Sequence, residues 1–337
     1  MSEEIIVVEQ IAVGGITTSS SVLRRLAIPL MLLGGALISC QAAINGHLAR
    51  EIGSGLRAPA LASVISFGSG LVVLTVLMFL IPAGRRGVVR LLAGLRARRL
   101  RPVELIGGLC GAFFVASQSI SVGTTGVAVF IAAFTAGQST GSLALDRWGI
   151  VSARQPLNAS RLLAVCLTII AAGLGGAESV SSQPDVVLVM LLLLALGAGV
   201  LSALQQALNG RVAAVTGPVA ATWSNFVVGT LALSAFLGAA LTAPGAVNGL
   251  PSAWWPYLGG MLGVVFIGIA TLTVHVHGVL VLALCTIAGQ VVTSLIIDLL
   301  RPSAAVGALS ATGAVLTLVG VGVAVASQVR VRRAAVA

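Results

Sequence analysis

Apolar stretches of about 20 residues recur along the whole chain, and this repetition restricts the possible fold more than any other feature. A helix of that length crosses the roughly 30 Å hydrocarbon layer of a membrane. Of the 337 residues, 58% are hydrophobic and only 8% are charged, whereas a soluble domain carries roughly 25% charged residues. The sequence therefore predicts an all-α membrane protein with one membrane domain.

Proline and glycine separate the apolar stretches, and the pattern predicts ten transmembrane helices. The predicted ranges are 26–48, 58–81, 103–121, 124–145, 159–177, 186–208, 218–242, 255–274, 277–299 and 304–327. Residues 1–22 are expected to form a cytoplasmic N-terminal tail. The segment ending at Cys40 also looks like a lipoprotein signal, but it has an internal counterpart, so we interpret it as the first helix.

The arginines predict the orientation of these helices. If the N-terminus is cytoplasmic, 16 of the 19 basic residues fall on the cytoplasmic side, and only Arg50, Arg57 and Arg301 lie opposite. Cytoplasmic loops of membrane proteins carry such an excess, so both termini are expected in the cytoplasm. The net charge of +10 predicts contacts with anionic membrane lipids. It does not predict nucleic-acid binding, because no aromatic residues alternate with the arginines.

Four motifs occur twice, in the same order. Gln-x-x-x-Asn-Gly lies at 41–46 and 205–210, and Ser/Asn-Phe-x-x-Gly at 66–70 and 225–229. Gly-x-x-Gly lies at 108–111 and 260–263, and Gly-Gln-x-x-x-Ser-Leu-x-x-Asp at 137–146 and 289–298. The chain therefore contains two repeats, residues 23–180 and 181–330. Each repeat has five predicted helices, an odd number, so the second must be inverted in the membrane, an arrangement typical of secondary transporters.

These paired motifs resemble the YdcZ-like branch of the drug/metabolite transporter (DMT) superfamily, in the form that fuses two repeats. The resemblance covers roughly residues 27–327. It implies ten helices in a 5+5 inverted-topology repeat, with a pathway lined by the first four helices of each half. It also implies a small-molecule substrate and residence in a bacterial inner membrane. The superfamily moves metabolites, amino acids, nucleotide sugars and cationic drugs, and the sequence does not choose among them or define an oligomeric state.

Polar side chains inside the apolar helices are the candidates for a substrate pathway, because such groups usually face the interior of a bundle. The alternative interpretation is hydrogen bonding that holds the helices together. For Trp223, stacking on a flat or cationic solute competes with simple packing. The candidates are Gln41, Asn45, Ser117, Gln118, Gln138, Gln205, Asn209, Trp223, Ser224, Asn225 and Gln290, with Gln206 as a weaker one.

Asp146 and Asp298 close the last repeated motif and lie near predicted membrane boundaries. They are candidates for gating or ion coupling, and the alternative is an interfacial salt bridge. No acidic residue occupies the predicted midplane of a helix. His275 and His277 lack the carboxylates or thiols of a metal site, so no metal and no other cofactor is expected.

The sequence thus predicts a secondary transporter, more specifically an exporter, working by alternating access. No Gly-x-x-x-x-Gly-Lys-Ser loop for ATP is present in the sequence. Two alternatives stay open, an intramembrane lipid-modifying enzyme and a channel or scaffolding subunit. The enzyme is disfavoured because the sequence has neither His-Glu-x-x-His nor paired carboxylates.

Overall fold

A computed structural model describes residues 20–148, 186–277, 279–300 and 308–334, with short stretches between 159 and 174. These ranges contain helices and no strands, which confirms the predicted all-α class. The helices are α1 Ser20–Ile52, α2 Arg57–Leu80, α3 Pro82–Arg96, α4 Gly107–Thr125, α5 Val127–Trp148, α6 Val186–Thr216, α7 Pro218–Ala240, α8 Gly259–His277, α9 Val279–Leu299 and α10 Ala308–Ala334. Short 3-10 helices at Pro102–Ile106 and Trp255–Leu258 lead into α4 and α8.

Six segments in the described ranges are long and apolar enough to cross a membrane, and they comprise α1, α2, α4 with its 3-10 turn, α5, α6 and α7. Shorter apolar stretches lie within α8, α9 and α10. The fifth predicted helix, 159–177, lies largely outside the described residues. Helix α3 is an additional, arginine-rich helix between the second and third predicted spans.

Several helices are longer than the sequence predicted. Helix α1 has 33 residues and α6 has 31, so each is about 45–50 Å long at a rise of 1.5 Å per residue. Both must extend beyond the hydrocarbon layer at one end. His275 and His277, expected in the short turn between the eighth and ninth predicted helices, belong instead to the last turn of α8.

Single glycines make two of the helical hairpins tight. Gly126 joins α4 to α5 and Gly217 joins α6 to α7, with φ of +79° and +85°. Side chains other than glycine are strained in this left-handed region. Pro218 follows at the first position of α7, where its missing N–H costs no hydrogen bond.

The helices pack into two bodies, each built from both halves of the sequence. In the first body α1 packs against α8 and α9, and α2 against α8. In the second, the equivalent helices do the same: α6 packs against α4 and α5, and α7 against α4. The bodies meet where α2 packs on α7, α1 on α4 and α5 on α9.

Glycine allows the closest helix contacts inside each body. A methyl group at Gly35 or Gly289 would overlap the main chain of Thr286 or Leu32, where α1 crosses α9. At the crossing of α5 and α6, the equivalent Gly137 and Gly199 face the main chain of Leu196 and Phe134. Small residues are what such close crossings need in a membrane, since lipid supplies no hydrophobic force between helices.

Helices α1 and α6, which carry the two copies of the same motif, run in opposite directions relative to α4. The end of α6 lies beside the start of α4, because Arg211 Nη1 is 3.7 Å from Glu104 Oε1. The end of α1 instead lies beside the end of α4, since Arg50 Nη1 donates to the carbonyl oxygen of Gly123 at 3.1 Å. We call the end of the bundle that holds the Arg211–Glu104 contact the arginine-rich end, and the end that holds the Arg50–Gly123 contact the opposite end. The arginine-rich end carries Arg85, Arg86, Arg90, Arg96, Arg98, Arg99, Arg101, Arg147 and Arg211.

Candidate functional site

A cavity of about 360 Å³ lies between the two bodies. It extends from the middle of the bundle to the arginine-rich end, where the exposed residues Gln206, Gly210 and Pro218 line its mouth. Most of its lining is apolar, and the polar groups in it are amides and hydroxyls. Among the residues that the structure describes, none with an ionisable side chain lines the cavity. A concave, mostly apolar pocket with a few polar groups is typical of a small-molecule site.

The two copies of the Gln-x-x-x-Asn-Gly motif face the glycine motif of the other half. A methyl group at Gly107 would lie 2.7 Å from Asn209 Oδ1, and one at Gly111 would lie 2.5 Å from Gln205 Nε2. In the first body, Gly259 and Gly263 hold the equivalent positions beside Asn45 and Gln41. The glycines therefore make room for the amide side chains, which explains why both motifs are repeated together.

Polar contacts between the two bodies close the opposite end. The side-chain amide of Asn45 on α1 donates to Gln118 Oε1 on α4 at 2.8 Å, and Ser63 Oγ on α2 donates to Ser119 Oγ on α4 at 3.0 Å. Asn45, Gln118 and Ser63 are fully buried. A buried hydrogen bond contributes about 1 kcal/mol, so these contacts hold the ends of α1 and α2 against α4.

Asp298 joins the bodies at the same end. Its carboxylate, at the end of α9, accepts hydrogen bonds from the main-chain N–H groups of Val127 at 3.1 Å and Ala128 at 2.6 Å. These are the first residues of α5, where unpaired N–H groups and the helix dipole favour a negative charge. Asp298 is therefore a contact between the bodies and not merely an interfacial anchor. The equivalent side chain, Asp146, lies outside the described side chains.

At the arginine-rich end, the described residues include no counterpart of the Asn45–Gln118 hydrogen bond. The counterpart of Gln118, at the 152-residue offset of the last two repeated motifs, is Ala270, and both Ala270 and Asn209 line the cavity. The cavity there lies between α6 and α8, whereas α1 and α4 are in contact at the other end. The two ends of the bundle thus have different states in this structure.

Some of the predicted pathway residues line the cavity, and the others lie outside it. Those that line the cavity are Gln41, Gln138, Gln205, Gln206, Asn209, Asn225 and Gln290. Asn45 and Gln118 belong to the closed end, and the hydroxyls of Ser117 and Ser224 donate to carbonyl oxygens of their own helices. Trp223 packs between α7 and α2, where its N–H donates to Thr75 Oγ1 at 3.1 Å.

Within the cavity, Gln205 and Gln290 differ in how their amides are paired. Gln205 Nε2 donates to Asn225 Oδ1 at 3.2 Å. Gln290 is fully buried, and neither its Nε2 nor its Oε1 has a hydrogen-bond partner among the described residues. Unpaired buried groups are uncommon in proteins, and among the described residues only Gln290 has both of its amide atoms in this condition.

Sequence reasoning did not identify the aromatic part of the lining. Phe67 and Phe226 stack across the middle of the bundle with ring centroids 4.7 Å apart, and Phe114 and Phe134 lie 4.6 Å apart. All four line the cavity, as does Phe266. The repeat carried a signal for four of them, since Phe67 and Phe226 belong to the Ser/Asn-Phe-x-x-Gly motif and Phe114 and Phe266 are separated by the same 152 residues as Gly108 and Gly260. Nothing in the pattern distinguishes Phe134 from a packing residue.

Comparisons with known proteins agree with this architecture. The family model described as "Putative inner membrane exporter, YdcZ" matches the chain twice, over residues 26–174 and 190–323. One solved structure, described only as "Crystal structure of protein", is 19% identical and has a TM-score of 0.50. The match covers 91% of this chain and 98% of that one, and at this identity the likeness concerns the fold alone. A search of curated proteins gives no match.

Proposed function

The chain belongs to the YdcZ-like branch of the drug/metabolite transporter superfamily, in its two-repeat form, and we propose that it is a secondary transporter that exports a small solute by alternating access. One observation carries this proposal: a central cavity is open at one end of the bundle and closed at the other. A carrier needs such a state together with its mirror image, in which the two ends exchange roles.

We propose that the two bodies rock against each other to make this exchange. Separating α1 and α2 from α4 would open the opposite end, and bringing α6 towards α8 would close the arginine-rich end. The bodies are built from equivalent helices, so the second state would resemble the first after rotation. Asp298 and Asp146 would then act as a gating pair, each holding its own end closed in turn.

The proposal includes ten transmembrane helices in a 5+5 inverted repeat, with both termini in the cytoplasm. The arginine distribution supports this orientation, because positively charged segments stay on the cytoplasmic side. The arginine-rich end would be cytoplasmic, so the cavity would face the cytoplasm and be ready to load a solute for export. Asn209, Asn225, Gln41 and Gln205 would line the entry, and Gln138 and Gln290 would contact the solute.

Removing the side-chain amides of Gln138 and Gln290 is predicted to abolish transport. Proteoliposomes are loaded with a defined mixture of metabolites, and the solutes that leave them are identified by mass spectrometry. We expect saturable export by the wild-type protein and no export by Gln138→Ala/Gln290→Ala at unchanged protein content. Thr230→Val, which alters a buried hydroxyl away from the cavity, is the matched control and should export normally.

The same experiment separates the proposal from its alternatives. A channel would give a flux that does not saturate and would show no exchange between labelled solute inside and unlabelled solute outside. A lipid-modifying enzyme would change the masses of the vesicle lipids. Normal export by the double variant would remove both glutamines from the solute-binding site.

A further inference from the structure

The cavity lining is uncharged, and this limits the solutes that it can hold. A charged solute that leaves water for this site would lose its hydration without gaining a counter-charge among the described residues. The free-energy cost of such a transfer is large unless the charge is paired. The phenylalanine rings can attract a cation through their faces, but Phe67 and Phe226 turn their faces towards each other. The lining therefore favours an uncharged solute.

Gln290 is the residue best placed to recognise such a solute. Its side chain is fully buried at the cavity wall, and its donor and acceptor both lack partners among the described residues. The hydroxyl of Ser39 donates to the main-chain oxygen of Gln290 at 2.8 Å, which fixes this part of α9 against α1. Leaving two buried polar atoms unpaired destabilises the protein, and a bound solute that pairs with them would remove that cost.

Thr286 adds a third unpaired polar atom on the same face. It lies one turn before Gln290 on α9, so the two side chains project in the same direction. Its Oγ1 is buried, has no partner among the described residues, and borders the same cavity. The equivalent position in the first half is Phe134, which also lines the cavity. The site therefore has Gln290 and Thr286 on the α9 wall, and Phe134 beside Gln138 on the α5 wall.

We propose that Gln290 and Thr286 form the polar recognition site of the cavity, and that they bind an uncharged solute with an adjacent hydrogen-bond donor and acceptor, such as a carboxamide, lactam or nucleobase edge. A primary amide offers one N–H and one C=O side by side and can pair with such an edge through two hydrogen bonds. The flat body of the solute packs on Phe134 and Phe114. This inference rests on the proposed function, since it assumes that the cavity holds the transported solute.

Four probes of nearly equal size test the chemistry. Full-length protein in lipid nanodiscs is titrated with benzamide, N,N-dimethylbenzamide, benzoate and benzyltrimethylammonium, and binding is followed by saturation-transfer NMR. We expect benzamide to bind at least tenfold more tightly than the other three, because only benzamide is uncharged and retains an N–H donor. Tighter binding of benzoate or benzyltrimethylammonium, or no binding of benzamide, would overturn the inference.

Variants locate the binding to Gln290. Gln290→Met keeps the size of the side chain but removes both polar atoms, and it should weaken benzamide binding at least tenfold, with Thr286→Val giving a smaller loss. Thr230→Val, whose hydroxyl is also buried without a partner but does not line the cavity, should bind like the wild type. We expect Gln290→Met to raise the thermal stability of the empty protein, which shows that it folds. Unchanged benzamide binding in Gln290→Met would refute the assignment.

These outcomes are independent of the transport test. Saturable export of a charged solute would leave the proposed function intact and overturn the inferred solute class. Binding of benzamide that depends on Gln290, in a protein that exports nothing, would support the recognition site and refute the transporter.

Discussion

At the scale of single residues, one amide makes the two ends of the bundle unequal. Gln118 receives the hydrogen bond from Asn45 at the closed end, whereas its counterpart Ala270 offers no acceptor to Asn209. The repeated asparagines were evident from the sequence, but their roles differ because their partners differ. Pairing of side chains that are 73 residues apart could not be predicted from the spacing within one helix.

Substitutions at positions 118 and 270 should shift the balance between the state that is open at the arginine-rich end and the state that is open at the opposite end. Gln118→Leu removes a buried hydrogen bond of about 1 kcal/mol, which corresponds to a roughly fivefold change in the ratio of the two states. We expect a cysteine at position 63, in a variant without native cysteines, to react about fivefold faster with an impermeant maleimide. Ala270→Gln should also speed this reaction, because a partner for Asn209 favours closure of the arginine-rich end and therefore opening of the opposite end. Equal rates in all three proteins would show that this hydrogen bond does not bias the equilibrium.

At the scale of helices, glycine decides which surfaces can meet. The sequence showed Gly137 and Gly289 as equivalent members of one motif, and the structure places both at crossings where helix backbones touch. Their partners Gly35 and Gly199 are equivalent as well, at the same offset as Gln41 and Gln205, yet they lie outside the motifs read from the sequence. Helix ranges followed from hydropathy, but helix neighbours did not, because hydropathy carries no information about which helices meet.

Alanine at the crossing glycines should destabilise the protein. In Gly137→Ala and Gly289→Ala the new methyl group overlaps a neighbouring main chain, and such overpacking costs about 1–3 kcal/mol. We expect each variant to unfold several degrees lower than the wild type in a fluorescence-monitored thermal scan. Gly68→Ala is the matched control, since nothing lies within 4 Å of that methyl group and alanine favours a helix. A normal unfolding temperature for both crossing variants would contradict the close contact.

At the scale of the whole molecule, the two packed bodies are not the two halves of the sequence. The repeat predicts two similar units, whereas packing groups α1 and α2 with α8 and α9, and α4 and α5 with α6 and α7. This grouping could not be predicted from the motifs, because a repeated motif shows which positions are equivalent but not which helices pack together. The polar contacts that close one end all join one body to the other.

A disulfide between the bodies should stop transport. Ser63 and Ser119 touch through their hydroxyls, so Ser63→Cys/Ser119→Cys can form a disulfide that holds α2 to α4 at the closed end. We expect oxidation to abolish export and reduction to restore it. Ser54→Cys/Ala246→Cys is a control at the same end, because these residues already pair through main-chain hydrogen bonds between the α1–α2 and α7–α8 connections, so their disulfide does not tie α2 to α4. Full export by the oxidised Ser63/Ser119 pair would exclude a rocking motion.

The interleaving of the two halves has a consequence for the single polypeptide. A chain divided between residues 180 and 186 would give two fragments, and neither fragment would contain all the helices of one body. In the inverted topology proposed above, each fragment would have to find its neighbours in a fragment inserted upside down relative to itself. Covalent fusion supplies both parts in equal number, and in that topology it would commit them to opposed insertion during synthesis without relying on two separate proteins to adopt complementary orientations.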